Sequence, residues 1–439
     1  MSIRDAIICR IDENSPIVLS SAQFRLWFLN QMDPDSAAYN MGGSFDWPGT
    51  VDGQVLQSAV DHIVQRHESL RTTFSMSGGD PVQVISPSSE ISVGIAEWAP
   101  DLDRSKREWL ESQYRSVADH PFDLERGPLL RVALLSVGPA EHVLVVVMHH
   151  IISDGWSMQV FLRELFESYH ALANQKQPSL PELPIQYADY ALWQRERLTS
   201  PAMQNEVNYW RTVLADAPAQ LSFPDADPTA NDYSGETIHF RIDAETVEAL
   251  KVLAKAENAT LFMVLSAAFK WALYEVTGQT DLLVGTPVSG RDRPEVEHLI
   301  GFFVNTVILR TNLEGIQSFR ELVRRERDVI LDAFSHQSLP FDELVRTLNP
   351  KRNSQVPYLS VLMNFLPPTP DSENIVGGSI IRVIETPSVG VGISVRISEL
   401  KDGIDVRVES APGLSSAANG ICQTVPRILG SSIERLSCE

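Results

Sequence analysis

Cysteine is scarce in this 439-residue chain: there are three, Cys9, Cys422 and Cys438. An odd number, with no CxxC pair, is not a disulfide framework, and a reducing, cytoplasmic setting is expected. Basic residues are also short, 36 Lys and Arg against 57 Asp and Glu, for a formal net charge of −21. Nucleic acid and anionic membranes need basic surface, so neither is expected as a partner. Two local basic stretches, DRSKREW (103–109) and FRELVRRERDVI (319–330), read as solvated helix faces. No apolar run approaches the roughly 20 residues of a membrane span. The opening MSIRDAIICRIDEN lacks the apolar core of a signal peptide. There is no G-x-S-x-G elbow, no phosphate loop and no HExxH. GVGIS (390–394) lacks the third glycine of a dinucleotide fingerprint and reads as a strand or turn.

The length suits two domains of similar size. Hydrophobic residues make up 43% and charged residues 21%, enough for cores and too little charge for wholesale disorder. Residues 20–31 read as a short helix capped by Ser20 or Ser21. Leu56, Val60, Ile63 and Val64 fall at helical spacing, and LRTTFSM then alternates as a strand. EHVLVVVMHH is a short β-branched run, hence a central strand. WSMQVFLRELFESYHALAN sets Phe161, Leu165, Tyr169 and Leu172 on one helical face. The Pro-rich stretch 174–194 reads as an irregular crossover between domains. Residues 232–291 follow the order strand, helix, helix, strand, and the last third adds a helix, three strands and a closing helix. The halves share no sequence repeat, but both read as α/β sandwiches.

VVVMHHIISDGWS (145–157) ends an apolar strand in two histidines and an Asp-Gly turn. Side chains alternate across a strand, so His149 and His150 do not share one metal if the strand runs through both. Nothing nearby supplies further ligands, and no metal site is expected. A structural histidine pair stays open. So does acid–base or hydrogen-bonding work on a substrate that brings its own nucleophile. Asp154 reads locally as the N-cap of the following helix, and Gly155 as turn chemistry.

HHIISDG (149–155) resembles the HHxxxDG motif of condensation domains from nonribosomal peptide synthetases. HxxxD alone is shared with other acyltransferases, but further matching stretches follow in family order. They are SSAQFRLWFL (20–29), RHESLRTTF (66–74), YADYALWQ (187–194), VGTPVSGR (284–291), IGFFVNTVILR (300–310) and HQSLPFDELV (336–345). The resemblance covers nearly the whole chain. YNMG (39–42) departs from a more usual Tyr-Asn-Ile-Pro, and Asn353 stands where aspartate is common. Heterocyclisation domains put aspartates for the histidines, and plant-type acyl-CoA transferases add a DFGWG motif absent here. IGFFVNT and SGRDRP look like peptide-bond formers instead of epimerisation domains.

The resemblance implies an α/β fold of two chloramphenicol-acetyltransferase-like lobes in a V-shaped pseudo-dimer, with the active site in a tunnel between them. We place the lobes at 1–180 and 181–439. It implies transfer of an acyl or peptidyl group from a carrier-protein phosphopantetheine thioester to an amine or a hydroxyl, in nonribosomal peptide or hybrid polyketide biosynthesis. His150 is then the catalytic residue, taking the nucleophile's proton or stabilising the tetrahedral intermediate. Asp154 becomes mainly structural and pairs with Arg291, displacing the N-cap reading, although one carboxylate serves both. Gly155 lets backbone approach the substrate arm, and His149 and Ser157 support. Trp156, Ser157 and Asn305 are candidate arm or tunnel contacts. No cofactor is bound by the chain itself, since phosphopantetheine arrives on the donor carrier protein. The acceptor sits on a second carrier protein or is a free small molecule. A monomer is expected, and the positions of Ser20 and the final helix lead us to expect a discrete enzyme working in trans. The alternatives are an acyl-CoA-dependent transferase on the same fold and a non-catalytic docking module.

Overall fold

Alternating β-branched runs and amphipathic helices build two α/β units, each around its own core. The computed structural model describes residues 8–10, 17–99, 105–224, 236–350, 356–366, 380–382 and 391–436. Among them no single helix is long and apolar enough to cross a membrane.

The first unit gathers the described residues of Met1–Ala202, Ser289–Val304 and Thr369–Thr386. It opens with α1 (Ser21–Met32), where Ser20 Oγ accepts from Gln23 N while Gln23 Oε1 accepts from Ser20 N, both at 3.1 Å. This reciprocal capping box satisfies two otherwise orphaned donors. There follow β1 (Asn40–Pro48), α2 (Gly53–Arg66), β2 (Thr72–Ser77), β3 (Asp80–Ile85) and β4 (Val93–Glu97). Next come α3 (Lys106–Ala118), β5 (Leu130–Gly138), β6 (Glu141–His149), α4 (Gly155–Ala173) and α5 (Tyr187–Arg197). The main sheet runs in the order Ile380–Arg382, β1, β6, β5, β4, with β2 and β3 forming a separate hairpin. β6 is the middle strand, and Val143–Met148 are buried without a break. Covering both faces removes the need for polar alternation, which explains the continuous apolar run. Leu56, Val60, Ile63 and Val64 of α2 are buried as their spacing requires, and α2 packs on α4.

Contacts divide the chain at other points than 180/181, for two reasons. Part of the stretch read as an irregular crossover is the helix α5, which stays with the first unit: Ser21 N donates to Gln194 Oε1 at 2.9 Å. The segment Ser289–Val304 then returns to the first unit through the polar contacts described below.

The second unit gathers the described residues of Met203–Val288, Asn305–Pro368 and Pro387–Glu439. Most of α6 (Pro201–Val213) belongs to it, followed by β7 (Glu236–Asp243), α7 (Ala244–Ala256), α8 (Leu261–Thr277) and β8 (Asp281–Val288). Then come β9 (Asn305–Asn312), α9 (Phe319–Ser335), α10 (Phe341–Leu348) and β10 (Val361–Leu366). Strands Ile393–Leu400 and Gly403–Ser410 and the helix Ser415–Leu436 complete it. Its sheet runs β7, Gly403–Ser410, Ile393–Leu400, β10, β8, β9. α8 is apolar almost all round and correspondingly buried, Val264, Leu265, Ala267 and Ala268 completely.

Candidate active site

β6 ends at His149, and His150–Ile152 form a single 3-10 turn before α4. The strand therefore does not run through both histidines, and it is the turn that sends them to different surroundings. His149 is buried against the rings of Tyr39 and Phe122, and its Nδ1 accepts from Ile151 N at 3.1 Å. Burial, with the neighbouring His150, pushes its pKa down to about 3, so it stays neutral.

His150 keeps part of its surface accessible. Its backbone N–H donates to Tyr39 O at 2.8 Å, and its Nδ1 lies 2.7 Å from Ser153 O. A carbonyl only accepts, so Nδ1 carries the hydrogen and Nε2 presents its lone pair. Burial lowers the His150 pKa, the Ser153 bond and Asp154 oppose this, and Arg25 adds to the lowering. A neutral imidazole with bare Nε2 is the form a proton acceptor needs near neutrality. The Phe302 ring lies 4.4 Å from it, centroid to centroid.

Asp154 caps α4, its Oδ1 accepting from Ser157 N at 2.7 Å, and the same oxygen accepts from Arg291 Nη2 at 3.2 Å. The capping and pairing readings thus hold together on one carboxylate. Its Oδ2 accepts from Phe303 N at 3.0 Å. Arg291 donates through Nη1 to Val296 O at 2.5 Å and Leu299 O at 2.8 Å, and through Nη2 to Ser157 Oγ at 2.8 Å. Gly290 presents Arg291 from a left-handed turn (φ +65°), where a Cβ would lie 2.0 Å from Phe303 O.

These bonds bind a strap, residues 296–303, by its backbone. Trp156 Nε1 donates to Glu297 O at 2.9 Å. Ser157 Oγ donates to Gly301 O at 2.8 Å and accepts from Gly301 N at 3.0 Å. Tyr187 donates from its hydroxyl to Phe302 O at 2.7 Å, its ring lying where a Cβ on Gly301 would come within 2.0 Å. His67 Nδ1 accepts from Ile300 N at 3.4 Å while its Nε2 donates to Glu164 Oε2 at 2.8 Å. Burial lowers the His67 pKa. It also works against ionising Glu164, but the bonds from His67 and Arg66 prevail and hold that carboxylate below its ordinary value.

The candidate residues are therefore placed unequally. His149, His150, Asp154, Trp156, Ser157 and Arg291 come together in the first unit. A Cβ at Gly155 would meet nothing within 4 Å, so the helix start is open there. Asn305 belongs to the second unit, where its amide is fully used: Nδ2 donates to Gln337 O and Leu339 O, and Oδ1 accepts from Thr306 N and Phe341 N. It braces that loop instead of offering a spare donor. Of the basic stretches, Arg320, Arg324 and Arg327 converge on Glu257, and Lys106 pairs with Glu141. Asn353 and Cys438 lie outside the described residues. Among the described residues no cluster of three His, Cys, Asp or Glu is arranged to hold a metal ion. Sequence reading did not assign site roles to His67, Glu164, Tyr187 or Phe302. Glu164 carried a signal: an acid next to Leu165, on the apolar side of a helix, requires a partner.

A family model described as Condensation domain matches residues 13–376. A linear gramicidin synthase protein of Brevibacillus parabrevis is 42% identical over 357 residues, covering 80% of this chain and 5% of that protein. Chondramide synthase of Chondromyces crocatus is 40% identical over 337 residues, covering 76% of this chain and 9% of that protein. The chain thus spans less than a tenth of the length of these relatives. Among solved structures, the condensation domain of the monacolin K polyketide synthase MokA superposes with a TM-score of 0.84 at 20% identity, covering 95% of this chain and 97% of that one. The X-domain in complex with OxyB from teicoplanin biosynthesis gives 0.84 at 24% identity, covering 98% and 96%. The fold is the two-lobed, chloramphenicol-acetyltransferase-like one of these structures.

Proposed function

The chain belongs to the condensation-domain family, an acyltransferase-type family, and from that premise we propose that it forms amide bonds from a carrier-bound thioester. The acceptor amine attacks the thioester carbonyl of an acyl or peptidyl group carried on phosphopantetheine. The C–N bond forms, the C–S bond breaks, and the arm leaves as its thiol. His150 Nε2 takes the proton the amine loses, and the departing sulfur recovers one. The observation that carries this reading is the Nδ1 bond to Ser153 O, which holds Nε2 unprotonated at a partly exposed position. Helix α1 supports a carrier protein as partner. It exposes Phe24, Phe28 and Met32, spaced by four on one face, and Gln23 on the same helix donates to Ile151 O at 3.2 Å, within the His150 turn.

The test is to mix the purified chain with a loaded carrier protein and candidate amines and to follow the products by intact mass spectrometry. Amide product is expected, with His150→Ala slower by about 10²- to 10⁴-fold at an unchanged thermal midpoint. Near-normal turnover in folded His150→Ala would refute the assignment. Parallel reactions with free acyl-CoA and with alcohols decide between carrier and CoA donors and between amide and ester products.

A further inference from the structure

We propose that Tyr187 is a positioning residue for His150, acting through the backbone and ring of Phe302. The inference rests on the reading of His150 as the reacting group. Phe302 O only accepts, so the single Tyr187 hydroxyl hydrogen goes to it at 2.7 Å. Ser20 Oγ, 2.9 Å away, then donates to the Tyr187 oxygen. Ser20 is itself fixed, because its Oγ accepts from Gln23 N in the cap of α1. A directed relay thus runs from the start of α1, through α5, to the strap. Burial keeps the Tyr187 phenol well above its ordinary pKa, so it stays a donor at every working pH.

The place it acts on is specific. Gly301 is held by Ser157 and Phe303 by Asp154. Phe302 lies between them, and Tyr187 supplies its backbone bond. Phe302 in turn lays its ring against the His150 imidazole at 4.4 Å, tilted by 51°. With Nδ1 tied to Ser153 on one side and the Phe302 ring on another, Nε2 has one direction in which to point. The groups acting on the charge of His150 are His149 beside it, Asp154 and Arg25. Removing the Tyr187 hydroxyl alters the charge of none of them. What it alters is how tightly Phe302 excludes water from the ring.

The experiment is a histidine-resolved NMR titration of the full chain, with the His150 signal assigned from a His150→Gln spectrum. In Tyr187→Phe the His150 pKa should rise by about half a unit or more, as water reaches a loosened ring. His149 should stay neutral throughout. Phe302→Leu keeps the backbone bond and removes the ring. It should raise the His150 pKa comparably, and the double variant should go no further than the larger single one. Should Tyr187→Phe not fold, Ser20→Ala, which weakens the same relay at its far end, takes its place. An unchanged His150 titration in the folded variants overturns the proposal, whatever happens to the thermal midpoint. The readout needs no substrate, so a wild-type chain that transfers nothing refutes the functional reading alone, while the titration decides the relay.

Discussion

Asp154 and Arg291 in the first unit, and Lys270 and Glu326 in the second, are both acid–base pairs sealed from water, with side chains at most 1% exposed. Their remaining bonds go to different kinds of partner. Lys270 Nζ donates to Glu326 Oε2, Thr311 Oγ1 and Leu309 O, and Glu326 also accepts from Ser266 Oγ and Thr311 Oγ1. Apart from Leu309 O these are side chains, belonging to α8, β9 and α9. Apart from the bond of Arg291 to Ser157 Oγ, Asp154 and Arg291 instead satisfy main-chain groups: Ser157 N, Phe303 N, Val296 O and Leu299 O. A pair that closes on side chains is a replaceable plug, because its partners can be changed with it. A pair that closes on backbone is a fixture, since its removal orphans groups that no substitution deletes.

Three measurements test that distinction, beginning with the largest expected effect, and a fourth compares the two units in acid. Replacing the fixture as a whole, Asp154→Leu with Arg291→Met, should give no soluble folded protein. Recovery of a normal thermal midpoint would erase the contrast. Removing one member of either pair, as in Lys270→Met or Arg291→Met, should lower stability by about 3–5 kcal/mol in urea unfolding, because the remaining charge stays buried. Acid comes next. Between pH 6.5 and about 3 the unfolded chain protonates His149 while the native state does not, so stability falls as pH falls through that window. The loss is about 1.4 kcal/mol per pH unit for that residue, and the lowered pKa values of His67 and His150 add to it in the same direction. All three belong to the first unit, whereas His239 and His336 of the second are exposed or partly so. Hydrogen exchange at falling pH should therefore open the first unit before the second. The smallest effect belongs to the plug changed together with its side-chain partners: Lys270→Met and Glu326→Leu, with Thr311→Val and Ser266→Ala, should stay within about 1 kcal/mol of the parent or exceed it. A loss as large as that of the single variant would show the second pair to be a fixture too.

Much of this was legible in the sequence because it depends on short-range pattern. The β6 run, the α4 stripe and the Ser20 cap follow from periodicity and capping chemistry that act within a few residues. The resemblance to condensation domains, carried by HHIISDG and VGTPVSGR, implied His150, Asp154 and Arg291, and the last two meet across 137 positions of chain. What stayed hidden was set at long range or by local breaks in regularity. Alternation along a strand gave no warning that β6 stops at His149. The first tyrosine of YADYALWQ, Tyr187, stood in quoted sequence, yet its bond to Phe302 O joins residues 115 positions apart. The prolines of 174–194 hid a helix, since α5 begins only after the last of them, Pro184. Asn305 was a candidate arm or tunnel contact by resemblance, and nothing local announced that its amide bonds Gln337 O and Phe341 N, more than thirty positions on.

The strap has a bearing on how this chain tolerates change. Its holders grip main-chain atoms, which every residue type but proline provides in full, and they grip them in a fixed count from Val296 to Phe303. Glu297, the exposed strap residue, can therefore be rewritten without touching a holder, whereas the ring of its neighbour His298 meets Arg163 Nη2 at 3.3 Å. Adding or deleting one residue between them would move every later carbonyl and amide off its holder at once. For anyone grafting segments between such chains, the number of residues in the strap is the quantity to preserve, together with the glycine at 301 and the ring at 302.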